Sequence, residues 1–117
     1  MGLLCGVPYT ALPMATAVSL EQNLPMLMCR KETKNYGTKK QIEGVFKFGQ
    51  DCLIIEDVVT TGGSALQIAE VLKKHGLQVK DIVVLVDRQQ GGKEALLAAG
   101  YQLHSVFTLN ELVLTKQ

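Results

Sequence analysis

Short apolar runs alternate along this chain with segments of helical period, and few folds accommodate that alternation. The runs are Gly2 to Cys5, Pro25 to Cys29, Cys52 to Ile55, Ile82 to Val86 and Leu103 to Phe107. They are too short for helices and apolar on both faces, which is the pattern of strands buried in a parallel sheet. Between them, Ala65, Ile68, Ala69 and Leu72 follow the i, i+3, i+4, i+7 spacing of an amphipathic helix over Ser64 to His75. Gly76 supplies its stop, and Lys73, Lys74 and His75 suit the carbonyl end of its dipole. Further helices are predicted over Ala11 to Glu21, Lys93 to Ala99 and Asn110 to Thr115. The order is that of an open, mainly parallel α/β sheet with flanking crossover helices. The exception is Arg30 to Gly49, which holds Lys31, Lys34, Lys39 and Lys40 and no sustained period. It reads as a long loop with a short hairpin around Val45 to Phe48, and loops of that length are usually functional or disordered.

At 117 residues the chain has room for one domain. A formal net charge of +1 provides no broad positive field, so neither nucleic acid nor a membrane surface is an expected partner. No apolar run approaches the roughly 20 residues of a transmembrane helix. Cys5, Cys29 and Cys52 are odd in number, without a CxxC pair and placed in apolar runs, which suggests core packing in a reducing compartment. A cytoplasmic location is expected.

The chemistry concentrates in Cys52 to Ser64, CLIIEDVVTTGGS. A buried strand ends in two carboxylates, Glu56 and Asp57, and a turn of small residues then opens a helix. Ligands of open parallel sheets bind at the carboxyl ends of the strands. The turn Thr60, Thr61, Gly62, Gly63, Ser64 offers backbone N–H groups, hydroxyls and the positive end of a helix dipole, all suited to a phosphate. The carboxylates cannot hold the phosphate, but they can accept bonds from sugar hydroxyls or approach a bound magnesium. A phosphorylated sugar satisfies both halves, whereas a bland reading makes the turn a helix cap and the acids solvated strand-end residues. Neither GxGxxG nor GxxxxGK[ST] occurs, so dinucleotide and P-loop readings fail.

These thirteen residues resemble the phosphoribosyl pyrophosphate (PRPP) signature of the type I phosphoribosyltransferases. Three other segments resemble the orotate phosphoribosyltransferases of that family, including the orotate-using half of animal uridine monophosphate synthase. Arg30 to Lys39 is similar to their mobile catalytic loop, Val7 to Pro13 to their pyrophosphate-binding turn, and Leu85 to Gly92 to the segment that supplies an arginine to the orotate carboxylate. Tyr36 stands where many bacterial relatives have histidine, and Thr10 where they have lysine.

The resemblance implies a Rossmann-like fold, N-terminally truncated, in which residues 1–117 form the core of one phosphoribosyltransferase domain. It implies transfer of the phosphoribosyl group from PRPP to orotate, releasing pyrophosphate and forming orotidine 5′-monophosphate for pyrimidine (UMP) biosynthesis. PRPP would be held by Tyr9, Thr10, Glu56, Asp57, Val58, Val59, Thr60, Thr61, Gly62, Gly63 and Ser64. Orotate would be held by Thr60 and Arg88, and catalysis carried by Lys34 with Arg30, Lys31 and Asp57. Magnesium would arrive on PRPP with no direct protein ligand, and the chain would form a homodimer. Family members carry a substantial segment ahead of the equivalent of Gly6, a hood over the base, and only five residues stand there in this chain. Its absence is expected to expose an apolar patch near Gly2 to Cys5. Two alternatives remain: a PRPP-binding or dimerising variant without catalysis, and transfer to another nucleobase.

Overall fold

The computed structural model describes residues 2–31 and 41–114. Its elements in chain order are β1 (Leu3–Gly6), α1 (Leu12–Gln22), β2 (Met26–Cys29), β3 (Ile42–Glu43), β4 (Asp51–Val59), α2 (Gly63–Lys74), β5 (Gln78–Asp87), α3 (Gly92–Ala98), β6 (Gln102–Thr108) and α4 (Leu109–Leu114). The six strands form one sheet in the order β3-β2-β1-β4-β5-β6. Every pairing is parallel except that of β3 with β2. The mainly parallel α/β sheet expected from the alternation of periods is therefore present.

Burial follows from strand period. On one face Leu3 and Cys5 of β1, Leu27 and Cys29 of β2, Cys52 and Ile54 of β4, and Ile82 and Val84 of β5 meet the apolar stripe of α2, which is Ala65, Ile68, Ala69 and Leu72. Leu96 of α3, Tyr101 and Leu103 close this larger core. On the other face Leu4 and Ile55 pack with Ala15 of α1. The register of β4 on β5 shifts between Cys52, opposite Val79, and Ile54, opposite Ile82. The extra β5 residue lets Val79 and Ile82 both face the larger core despite their odd spacing.

Two expectations about boundaries are corrected. The central strand does not stop at the carboxylates but runs on to Val59, because β5 offers a partner as far as Asp87, opposite it. Glu56 and Asp57 thus lie within the last turn of pleat rather than beyond it. The hairpin around Val45 to Phe48 does not form. The short antiparallel strand is Ile42–Glu43, opposite Cys29 and Met28, after which the chain leaves the sheet and turns Phe46 onto the core beside the ring of His75. Cys5, Cys29 and Cys52 are free and buried. Among the described residues no helix is long and apolar enough to cross a membrane.

Ile54, fully buried on the central strand, and Leu97, 64% exposed on α3, should separate in urea denaturation. Ile54→Ala should lose about 2–5 kcal/mol of stability, and Leu97→Ala no more than about 0.5 kcal/mol.

Candidate functional site

At the carboxyl ends of the parallel strands the molecule places its buried charge. Among the described residues the buried acidic side chains are Glu56 and Asp87, near the ends of the neighbouring strands β4 and β5. Glu56 faces the start of α2, where Ser64 Oγ donates to its Oε1 at 3.4 Å. Lys31 Nζ stands 4.0 Å from the same oxygen. Its other oxygen, Oε2, is buried and has no hydrogen-bond partner among the described residues. Burial pushes the Glu56 carboxyl above the ordinary carboxylate range. Lys31 and Ser64 pull it back and Asp57 adds to the rise, but desolvation dominates. Asp57 is partly exposed and its Oδ1 accepts the backbone N–H of Val58 at 2.9 Å.

Beyond Val59 the chain turns through Thr60 and Thr61 to Gly62, which caps α2 with a left-handed backbone, φ 93°. A β-carbon there would also come within 3.2 Å of Gly92 O, so both conformation and space call for glycine. Gly63 begins the helix with nothing within 4 Å of where a β-carbon would stand. Among the described residues, the N-terminus of α2 therefore opens onto free space flanked by Ser64 and Glu56, and no side chain caps it. Its first N–H groups remain available to an anion.

Two loops flank this end. Val7 N donates to Ile55 O at 3.3 Å, which ties the turn after β1 to β4. A cavity of about 200 Å³ is lined by Val7, Pro8, Tyr9, Arg30 and Lys31, so the structure brings the expected pyrophosphate turn together with the start of the basic loop. Thr10 is exposed beside it. Arg30 N donates to Gln41 O at 2.8 Å, and its Nη1 meets Glu43 Oε1 at 3.2 Å, closing the base of that loop. Lys34 and Tyr36 lie outside the described residues. On the other side Arg88 is exposed in the loop after β5, and its N–H donates to Val59 O at 2.9 Å.

The spacing of residues does not reveal two contributors here. Asp87 Oδ1 accepts the N–H of Gln89 at 2.9 Å, which folds the Arg88 loop on itself. Gly92 N donates to Thr60 O at 3.1 Å. The first is a turn within three residues, whereas the second joins segments 32 residues apart, a contact for which the sequence offers only the doublet Gly91-Gly92.

A model of the phosphoribosyl transferase domain matches residues 3–96. The uridine 5′-monophosphate synthase of Bos taurus is 59% identical over 109 residues, spanning 93% of this chain and 23% of that protein. The orotate phosphoribosyltransferase of Chlamydia caviae is 51% identical over 113 residues, 95% of this chain and 55% of that one. The crystal structure of Mycobacterium tuberculosis orotate phosphoribosyltransferase in complex with PRPP superposes with a TM-score of 0.76 at 32% identity, covering 96% of this chain and 65% of the other. The chain thus spans about half the length of the single-function relative and about a quarter of the synthase.

The raised carboxyl of Glu56 has a measurable sign. In the unfolded chain it titrates in the ordinary range, and in the fold it holds its proton to higher pH. Its contribution to stability is fully present below the unfolded value and is lost as pH rises through the folded one. Glu56→Gln should therefore raise the melting temperature relative to the parent at pH 7, and the difference should shrink toward pH 4. A Glu56→Gln chain that melts lower at pH 7 would show that Lys31 and Ser64 outweigh burial.

Proposed function

The chain belongs to the phosphoribosyl transferase domain family, and on that premise we propose that it carries the PRPP-binding core of an orotate phosphoribosyltransferase. The observation that carries the reading is the open N-terminus of α2, where a β-carbon on Gly63 would meet none of the described residues and the buried Glu56 carboxylate is hydrogen-bonded to Ser64 at its base. The orotate phosphoribosyltransferase and uridine monophosphate synthase relatives support the choice of base, and the PRPP complex of the Mycobacterium tuberculosis enzyme supports the choice of donor.

In this reading the 5′-phosphate lies on the N–H groups of Thr61 to Ser64, where the helix dipole and close backbone approach favour it. Glu56 and Asp57 accept hydrogen bonds from the ribose hydroxyls, and Glu56 Oε2, without a partner among the described residues, has capacity for one. The pyrophosphate occupies the side of Tyr9, Thr10, Arg30 and Lys31, where cations meet its charge. Orotate sits between Thr60 and Arg88, whose planar fork matches a carboxylate. The ring nitrogen of orotate attacks the anomeric carbon as the bond to the pyrophosphate oxygen breaks, the nitrogen's proton is released to the departing pyrophosphate, and charge grows on the leaving group. Lys34 would meet that charge as its loop closes, which is electrostatic catalysis without a nucleophilic side chain. Magnesium, when bound with PRPP, would neutralise pyrophosphate charge. The residues fit it, since the Glu56–Asp57 pair offers hard carboxylate oxygens to its bound waters.

A homodimer and a cytoplasmic setting belong to the same proposal. Leu85 and Val106, on the paired strands β5 and β6, are 39% and 54% exposed, and a second copy would cover such a strip. Sedimentation should report a dimer at micromolar concentration, and a well-behaved monomer would remove that element. Three buried free thiols suit a reducing compartment.

Gly63→Ala tests the phosphate position most directly. The methyl meets no protein atom, and the Gly63 backbone is not left-handed, so the helix should gain roughly 0.5–1 kcal/mol. PRPP with magnesium, titrated calorimetrically, should nevertheless bind at least about tenfold more weakly, because charge-assisted bonds to the phosphate are displaced. Unchanged PRPP affinity in this variant would move the phosphate elsewhere and take the reading with it.

A further inference from the structure

Where β4 and β5 end, the two segments remain hydrogen-bonded to each other although their register is lost. Arg88 N bonds to Val59 O and, four residues later, Gly92 N bonds to Thr60 O. At the second bond the backbones come closer than side chains allow. A β-carbon on Gly92 would lie 2.4 Å from Val59 Cγ1, 2.7 Å from Thr60 O and 3.2 Å from Gly62 N. Its neighbour Gly91 is the reverse case: φ is 93°, yet nothing lies within 4 Å of its would-be β-carbon. Of the two adjacent glycines, Gly91 answers to conformation and Gly92 to space.

The Gly92 contact joins two pieces that face different parts of a ligand. Thr60 and Gly62 begin the phosphate cradle, and Gly92 ends the loop that carries Arg88. Van der Waals contact is stiff compared with a loop hydrogen bond, so a contact this close defines a distance. We propose that Gly92 is a positioning residue that fixes the spacing between the phosphate cradle and Arg88, and so selects ligands in which phosphate and carboxylated base stand at one separation. The inference rests on the phosphoribosyl reading above. Gly92 touches no ligand in it; the residue acts through Thr60 on one side and Arg88 on the other. An added methyl either breaks the Gly92–Thr60 bond or pushes the Arg88 loop outward, and both change the spacing while leaving the open helix N-terminus in place.

Two ligands separate spacing from simple damage. Ribose 5-phosphate engages the cradle alone, whereas orotidine 5′-monophosphate spans the cradle and Arg88. In calorimetric titrations of this chain, Gly92→Ala should weaken orotidine monophosphate by about tenfold or more while ribose 5-phosphate changes by less than about threefold, since a misplacement near 1 Å is costly only to the ligand that spans it. Arg88→Ala should weaken orotidine monophosphate by about tenfold in the parent, the loss of a charged hydrogen bond, and far less in the Gly92→Ala background. Gly91→Ala, strained but unobstructed, should lower the melting temperature and show no such discrimination between ligands. If Gly92→Ala does not fold, the same titrations go to the Val59→Ala Gly92→Ala chain, in which the shortest contact is gone and the Thr60 carbonyl contact remains. Equal weakening of both ligands, or an Arg88→Ala effect of the same size in both backgrounds, would overturn the inference. A parent chain that binds ribose 5-phosphate and gains nothing from the base would overturn it alone. A parent that binds neither ligand would remove the phosphoribosyl reading beneath it.

Discussion

Everything at the functional end hangs from the pairing of β4 with β5. These are the longest strands of the sheet, and their parallel register runs from Asp51 opposite Gln78 to Val59 opposite Asp87. Parallel strands end together on the same side of a sheet, so one ladder delivers Glu56, the Thr60 turn and the Arg88 loop to a single edge. The core beneath is dense where this requires it: Ile54, Ile82 and Val84 are fully buried, and α2 lays Ile68 and Leu72 across them. Rigid strands under mobile connections are a common basis for binding sites, because the scaffold fixes origins while the loops supply contacts.

Much of this was legible in the sequence. The apolar runs place β1, β2, β4, β5 and β6 to within a few residues, and the stripe Ala65, Ile68, Ala69, Leu72 fixes both the helix and its buried face. The small-residue turn after two carboxylates locates the uncapped start of α2 beside a buried acid, which is the geometry that the phosphate proposal uses. Local period failed where pairing decides the outcome. Asp57, Val58 and Val59 carry no apolar run, yet they are strand because β5 supplies partners, and tertiary pairing overrides local preference. Ile42–Glu43 is strand for the same reason, drawn onto the edge of β2, while the more apolar Val45 to Phe48 is free of the sheet. The meeting of Gly62 with Gly92 joins residues thirty apart, and no window of local sequence could display it.

The placement of Arg30 adds a second lesson about charge. Arg30 and the basic run Lys31 to Lys40 read alone as a solvated loop, and only the company of the Cys52 to Ser64 segment turns them toward one anionic ligand. In the fold the first two of these residues part: Arg30 reaches Glu43 across the base of the loop, and Lys31 turns to Glu56 at the cradle. A guanidinium paired at 3.2 Å to a half-exposed carboxylate contributes little stability on its own. Together with the Arg30 N to Gln41 O bond, however, it fixes where the loop leaves and re-enters the sheet. Lys31, exposed and 4.0 Å from its partner, makes the looser of the two pairs.

Glu56 then shows why such a site is not optimised for the fold alone. A carboxylate on a central strand, with one oxygen unpartnered among the described residues, loses hydration that Ser64 and Lys31 replace only in part. A glutamine would fit the same space without the charge, so the stability of the fold gives no reason for an acid there. The ligand proposed for this site would give one: a hydroxyl donor aimed at Oε2 would supply a further bond, and a nearby cationic or metal-bound group would favour the ionised form that burial disfavours. The desolvation cost is borne by the free protein, so the bonds formed on binding are made to a group that has already given up its water. Occupancy of the proposed site would then be linked to stability of the sheet, since whatever binds the native state alone raises the free energy of unfolding by mass action.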